Sequence, residues 1–458
     1  MKKLFTMLFT ITCFLTYATD LYVFPGGTSP NYSSIHTAVN AAADGDRVLV
    51  APGTYIENVS MPATNLTIIP LADGGNYTIS GSFSITATYD GKRATIVGAI
   101  VHGDFEEINN TSNSCSGSQI NEFNIINCEF LQDFNPQRCL IINLYYSTLH
   151  LNGSQYYGMY KEMIGNYFIN TSGTEKNLYC FVIDSDWNTA ADALYGDDQG
   201  QKVYGNHFEN VCLKYTTWGS DPHWTEELHI ANNFFEYNIY QAGTYKHLDL
   251  SLSSTSNPAS MLIENNTFER TASTQYNTSG WGISLSGQYG SAIIRNNAFF
   301  SDQNNWNSSN YPLFYFYMSD GIGVVTNNLF GNGAYSTTLT TGNLTSPQNS
   351  YFGGTLSGGS VNAADNFFNS SFSNSEIGSS SGIVTASLAI NNGFDIMECR
   401  DVDDTQNDIG TWGGPHSWDN YHSTSTGKGR IIDIQMPSTI YGLPGVTFEV
   451  KSKAIRTN

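Results

Sequence analysis

Along most of this chain apolar and polar residues alternate with a period of two over short stretches, and the alternation is broken repeatedly by nearly the same phrase. The stretches include "CLIINLYY" (Cys139 to Tyr146), "CFVIDSDW" (Cys180 to Trp187), "LKYTTW" (Leu213 to Trp218), "HLDLSLS" (His247 to Ser253), "GISLSG" (Gly282 to Gly287) and "LFYFYM" (Leu313 to Met318). Strict alternation sends successive side chains to opposite faces, so each predicts a short strand with one buried face. The interrupting phrase is apolar, then Asn, then Phe: "IGNYF", "VYGNHF", "IANNFF", "IENNTF", "IRNNAF", "VTNNLF" and "AADNFF", with a looser "IINCEF" earlier. Their last aromatics are Phe130, Phe168, Phe208, Phe235, Phe268, Phe299, Phe330 and Phe368, separated by 27 to 40 residues. Self-similarity at such a period predicts a repeat architecture. Its variable length fits strand coils whose loops absorb insertions, because helical repeats would fall out of phase.

In stacked coils each residue lies about 4.8 Å from its equivalent in the next. A buried Asn is costly alone, but its amide can bond the amides of neighbouring coils. Asn233, Asn266, Asn297 and Asn328 are therefore expected in one internal ladder, with the Phe column stacked beside it. The repeated motif is assigned to structure rather than to catalysis.

The stretch "SSIHTAVNAAADGDRVLVAPGTYIENVSM" (Ser33 to Met61) resembles the capping and first-coil region of right-handed parallel β-helix proteins of the pectin-lyase-like superfamily. Ile35, Ala38, Val39, Ala42 and Ala43 would form the buried face of a short capping helix. "DVDDTQNDIGTWGGP" (Asp401 to Pro415) resembles the Asp-rich closing phrase of many secreted bacterial β-helix proteins. The resemblance implies an all-β fold, a single-stranded right-handed parallel β-helix over 19–415 with an N-terminal capping helix. "RIIDIQMP" and "VTFEVKSKA" predict a β-hairpin or truncated sandwich within 416–458. The activities that the superfamily implies are polysaccharide lyases and glycoside hydrolases, with non-catalytic surface proteins beside them. The Asn-Thr-Asp, Asp-pair and Gly-His-Gly pattern of polygalacturonases is not found here. Nor are the Trp, Asp and His phrase of pectate lyases and the Arg-rich motif of alginate lyases. Fold alone does not assign function.

Charge narrows the partners. A formal net charge of −21 over 458 residues leaves no basic surface for a phosphate backbone, so nucleic acid is set aside. Residues 1–18, with Lys2 and Lys3 ahead of a short apolar run ending at Thr16-Tyr17-Ala18, read as a signal peptide, and no later run is long enough to cross a bilayer. A secreted or cell-surface location is expected, with oligomeric state open. Cys115, Cys128, Cys139, Cys180, Cys212 and Cys399 match no small disulfide framework or zinc pattern; buried thiols and one or two bridges are both compatible.

Read in register, the outward positions combine Asn143, Tyr145, Asp184, Asp186, Lys214, Thr216, His247, Asp249, Ser251, Ser284, Ser286, Tyr315 and Tyr317. Carboxylates, a Lys, a His and aromatic rings in one column suit a polysaccharide groove. A lyase needs a cation to neutralise a uronate and a base to remove the neighbouring proton: Asp184, Asp186 and Asp249 could hold Ca²⁺, and Lys214 or His247 could be the base. A hydrolase would pair two carboxylates such as Asp186 and Asp249. Tyr145, Trp218, Trp224, Tyr315 and Tyr317 would contact sugar. Asp401, Asp403 and Asp408 form a second possible Ca²⁺ position. The bland alternative is a solvated polar face, as an acidic protein has many such residues. Two functions stand at this level: a surface β-helix that contacts polysaccharide without catalysis, or a lyase or hydrolase of acidic glycan.

Overall fold

The computed structural model describes residues 18–62, 64–72, 75–87, 91–109, 121–136, 140–152, 156–170, 172, 174, 176–181, 200–216, 227–238, 244–252, 260–271, 279–287, 291–301, 307–308, 311–312, 314–318, 322–331, 342–344, 352–353, 360–368, 374–379, 381–396, 399–401, 404–422, 429–435 and 451–456. Residues 1–17 of the expected signal peptide, Cys115, Cys139, Asp184, Asp186, Trp218, Trp224 and Asp403 lie outside these residues.

The chain winds as a right-handed parallel β-helix whose coils each contribute short strands to three parallel sheets. The first sheet runs from Asp20–Val23 through Arg47–Val50, Leu140–Tyr145, Gln201–Tyr204, Leu228–Ala231 and Ser260–Glu264 to Ser360–Ala364. The second begins at Thr54–Tyr55 and ends at Phe367–Phe368. The third opens with Val59–Met61, Phe83–Ala87, Phe105–Asn109 and Phe134–Asn135. It resumes with Lys176–Phe181, Val211–Thr216, Thr244–Leu252, Ser279–Gly287, Phe314–Met318 and Phe352–Gly353. The long strand Tyr156–Ile164 belongs to both the first and third faces.

From Asn121–Ile126 onward each coil turns between first and second sheets through two residues, and each has its own reason to be there. Asn127, Tyr146, Gly165, Gly205, Asn232, Asn265, Asn296, Asn327 and Asp365 all have φ between 51° and 68°. This left-handed region suits Gly and, among other residues, Asn and Asp best. The next residue points inward and builds the ladder. Nδ2 of Asn166, Asn206, Asn233, Asn266, Asn297 and Asn328 donates to Oδ1 of the Asn one coil on, at 2.9–3.0 Å, ending at Asn366. Each of those oxygens also accepts the backbone N–H of the preceding ladder residue at 2.9–3.0 Å. Ser147 extends the chain of bonds one coil earlier, accepting from Cys128 N and donating its own N–H to Asn166 Oδ1. Phe168, Phe208, Phe235, Phe268, Phe299 and Phe330 stack face to face beside it, centroids 4.7–5.4 Å apart.

The N-terminal end is closed by the helix Ile35–Ala41, capped by Ser34, whose hydroxyl accepts the Thr37 N–H at 3.1 Å, while Glu57 accepts from Ile35 N and His36 N. Ile35, Ala38 and Val39 are buried as expected, but Ala42 is half-buried and Ala43 exposed, because the helix ends at Ala41 and the chain there turns extended. At the other end Gly342–Leu344 pairs antiparallel with Ser360–Ala364, covering part of an edge that would otherwise be open.

Among the described residues the last coil strands are Ser360–Ala364 and Phe367–Phe368. The described residues within 374–422 run back across the outside of the second sheet and the turns, ending in the short helix Trp418–His422. The reason lies in outward residues that are apolar: Phe234, Ala298, Phe300 and Leu329 form a second buried cluster with Ile377, Val384, Ala386, Ala389, Ile409 and Trp418 of this strap. The left-handed turn residues fix its register. Asn232 Nδ2 donates to Thr411 O and Gly413 O, Asn265 Nδ2 to Asn407 Oδ1 and Asp408 O, and Asn296 Oδ1 accepts from Phe394 N. At Gly205 a Cβ would meet the Tyr421 ring at 2.2 Å, so glycine serves both the turn and the docked ring. The predicted C-terminal hairpin is present as Gly429–Gln435 paired antiparallel with Lys451–Arg456.

Candidate functional site

On the third sheet, alternation in "VCLKYT" and "HLDL" buries Leu213, Tyr215, Leu248 and Leu250 and turns Lys214, Thr216, Asp249 and Ser251 outward. Parallel register then brings them together. Tyr179, Lys214, Asp249, Ser284 and Tyr315 occupy one row on successive coils, and Thr216, Ser251, Ser286 and Tyr317 the next. Lys214 Nζ lies 3.8 Å from Asp249 Oδ2 and 5.2 Å from the centroid of the Tyr179 ring.

A further cation joins this row that strict alternation would have turned inward. Lys246 Nζ is 2.8 Å from Asp249 Oδ1 and 3.4 Å from Ser284 Oγ. The pairing with the next coil keeps one offset through this stretch, Lys246 aligned with Trp281 and Leu248 with Ile283, so the break lies in which side chains are buried and not in the register. His247, expected outward as a base, is instead 2% exposed, with Nε2 3.3 Å from the Glu269 carbonyl and its ring edge-on to Tyr237 and Phe268. The adjacent buried pair His247 and Leu248 in "KHLDL" breaks the period of two and so moves Lys246 to the outer surface.

Tyr145, expected in the same column, lies on the first sheet between Asn121–Ile126 and Tyr156–Ile164. It is 2% exposed and its phenol donates to Glu162. Burial and then the neighbouring carboxylate push that phenol well above its usual pKa, and the burial itself keeps it from a surface ligand.

The first sheet carries a second polar cluster that alternation alone does not reveal. Tyr204 Oη and His229 Nδ1 are 2.7 Å apart, His229 Nε2 and Glu264 Oε1 2.8 Å, and Arg295 donates to Glu264 Oε2 at 2.7 Å. Burial would push the Glu264 carboxyl up, but the His229 hydrogen bond and charge, followed by Arg295, outweigh it and hold the group at about 2. An ionised Glu264 only accepts, so Nε2 of His229 donates to it, with Nδ1 beside the Tyr204 hydroxyl. His416 of the strap stacks on Tyr204 at 4.3 Å and its Nδ1 meets Tyr421 Oη at 3.1 Å. The cluster thus anchors the strap. Its sequence signal was the position just before each left-handed turn, shared by Tyr204, Glu264 and Arg295.

The depressed Glu264 gives a pH dependence with a definite sign. A lowered folded-state pKa contributes stability that is present above about 4.5 and lost as pH falls towards about 2. The contribution is roughly 3 kcal/mol. Glu264→Gln is expected to remove this acid-side slope in urea unfolding measured from pH 6 to pH 2.5; an unchanged slope would refute the assignment.

Asp401 and Asp408 serve the strap itself. Asp401 accepts from Gly414 N at 2.5 Å and from Asp408 N, and Asp408 Oδ1 accepts from Asn391 N at 2.6 Å. Among the described residues no three His, Cys, Asp or Glu side chains are grouped to hold a metal ion. Cys128, Cys180, Cys212 and Cys399 are buried thiols. Among the described residues no helix is long and apolar enough to cross a membrane. No family model, no curated protein and no solved structure matches the chain.

Proposed function

We propose that this chain is an exported β-helix protein, related to the pectin-lyase-like superfamily, that contacts acidic polysaccharide along the outer face of its third sheet. The observation that carries the reading is the row Tyr179, Lys214, Asp249, Ser284, Tyr315, joined by Lys246. On a chain of formal charge −21, two ammonium groups meet there at one carboxylate. Rows about 4.8 Å apart offer a polymer repeated contacts along the helix, and Tyr179 supplies an apolar ring beside Lys214. Cations on the outer side of the row favour carboxylated sugars over neutral ones.

A lyase reading is supported by one feature, the neighbouring of Lys214 and Asp249. In such a reaction Lys214 would remove the proton beside the uronate carboxylate while the glycosidic C–O bond breaks towards the leaving sugar. His247 has no part in it, being buried.

Affinity electrophoresis against acidic and neutral polysaccharides, read together with unsaturated-uronate absorbance, tests both. Retardation by acidic polymers alone is expected, and Lys214→Ala should weaken it about tenfold or more while leaving the melting temperature in place. Equal retardation by neutral polymers would overturn the reading. Absorbance that grows with time and vanishes in Lys214→Ala would favour the lyase.

A further inference from the structure

Resting on that reading, we infer that the C-terminal hairpin is a second contact for acidic polysaccharide, made by a row of basic positions on one of its faces. Charge is segregated along this chain. Residues 428–456 carry Lys428, Arg430, Lys451, Lys453 and Arg456 against Asp433 and Glu449, whereas the remainder holds 14 basic residues against 38 acidic ones. A basic stretch joined to so acidic a body is the one part of the chain whose charge complements a polyanion.

The strand register sorts these residues. In the antiparallel pair Gly429–Gln435 and Lys451–Arg456, Arg430 stands opposite Ile455, Asp433 opposite Lys453 and Gln435 opposite Lys451, while Ile431 stands opposite Ala454 and Ile434 opposite Ser452. Residues directly opposite share a face, and so do alternate residues along a strand. Arg430, Lys451 and Lys453 therefore occupy positions of one face, and Ile431, Ile434 and Ala454 positions of the other. Unbroken alternation in "RIIDIQ" would have grouped Arg430 with Ile432 and Ile434. The register shift between Ile431 and Asp433 passes over Ile432 and brings Asp433 and Gln435 to the face of the lysines. Asp433 offsets one of the three basic charges there, and the face stays net positive. Lys451 and Lys453 are about 6.7 Å apart along the strand and the Arg430 position follows at the same step on its neighbour, so the row spans about 13 Å. Such a row suits successive charged groups of a polymer better than one small anion. A two-stranded ribbon needs its apolar face for packing, which leaves the basic face to the ligand.

The test titrates the full chain by calorimetry with polygalacturonate, with its fully methyl-esterified form, which has the same sugar without the charge, and with vesicles of anionic phospholipid, at low and at moderate salt. Binding of the charged polymer and not of the ester is expected. Lys451→Gln and Lys453→Gln together should weaken it about tenfold or more and flatten its dependence on salt, while Lys451→Arg with Lys453→Arg binds as the parent does. Thermal melts of each variant show that the coil is intact. If the Gln pair binds like the parent while Lys214→Ala binds more weakly, the hairpin contact is overturned and the third-sheet reading stands. If the Arg pair loses binding as the Gln pair does, the build of the hairpin and not its charge is responsible, which also overturns the contact. Binding to the vesicles in preference to the polymer overturns it in favour of a lipid surface. Absence of binding to either polymer in the unsubstituted protein overturns the glycan reading and the hairpin contact with it.

Discussion

Replacing Asn297 by Leu is expected to lower the unfolding free energy by about 3 kcal/mol or more. The side chain sits within a continuous ladder and is fully buried. Its oxygen accepts from Asn266 N and Nδ2, and its Nδ2 donates to Ile263 O, Arg295 O and Asn328 Oδ1. Leucine would leave the Asn266 donors without that oxygen, in a core where water has no access. Stranding a buried donor costs far more than the net value of one hydrogen bond, because its desolvation is no longer offset. Chemical denaturation read by far-ultraviolet dichroism measures the loss. A midpoint unchanged from the parent protein would contradict the ladder.

The second large effect is expected at the strap. Trp418 is 4% exposed, packs in the cluster with Phe234, Ala298 and Leu329, and donates its backbone N–H to Thr411 O at 2.8 Å. Trp418→Ala removes a large buried ring and should cost about 3–5 kcal/mol. The loss falls on a segment that crosses the coils from outside, so proteolytic cleavage within 374–422 should appear before the coils unfold. Cleavage that begins in the coils instead would show that the strap is not an independent layer over the second sheet.

The coil was legible because its requirements recur. A buried amide needs the same amide above and below it, so the Asn and Phe positions wrote the ladder into the sequence at every turn. The first Asn of each pair was equally readable in principle, since Gly165 and Gly205 stand where Asn232, Asn265 and Asn296 stand, the exchange expected of a left-handed position. The strap was harder. Its evidence was that Phe234, Phe300 and Leu329 are apolar at outward positions, which alternation marks but does not explain until something covers them. Lys214 and Asp249 were found by alternation and brought together by register. Lys246 was missed because a single buried residue, His247, shifts the period, and Tyr145 was misplaced because strands of equal appearance belong to different faces of the coil.

The measurement that bears most directly on function is a crystal structure of the protein with a bound oligogalacturonate. The sugar is expected along the third sheet, its carboxylate at Lys214 and Lys246 and its chain crossing the Asp249 and Ser284 coils. An oligosaccharide seated instead on the first sheet or on the strap, with the lysine row bare, would contradict it.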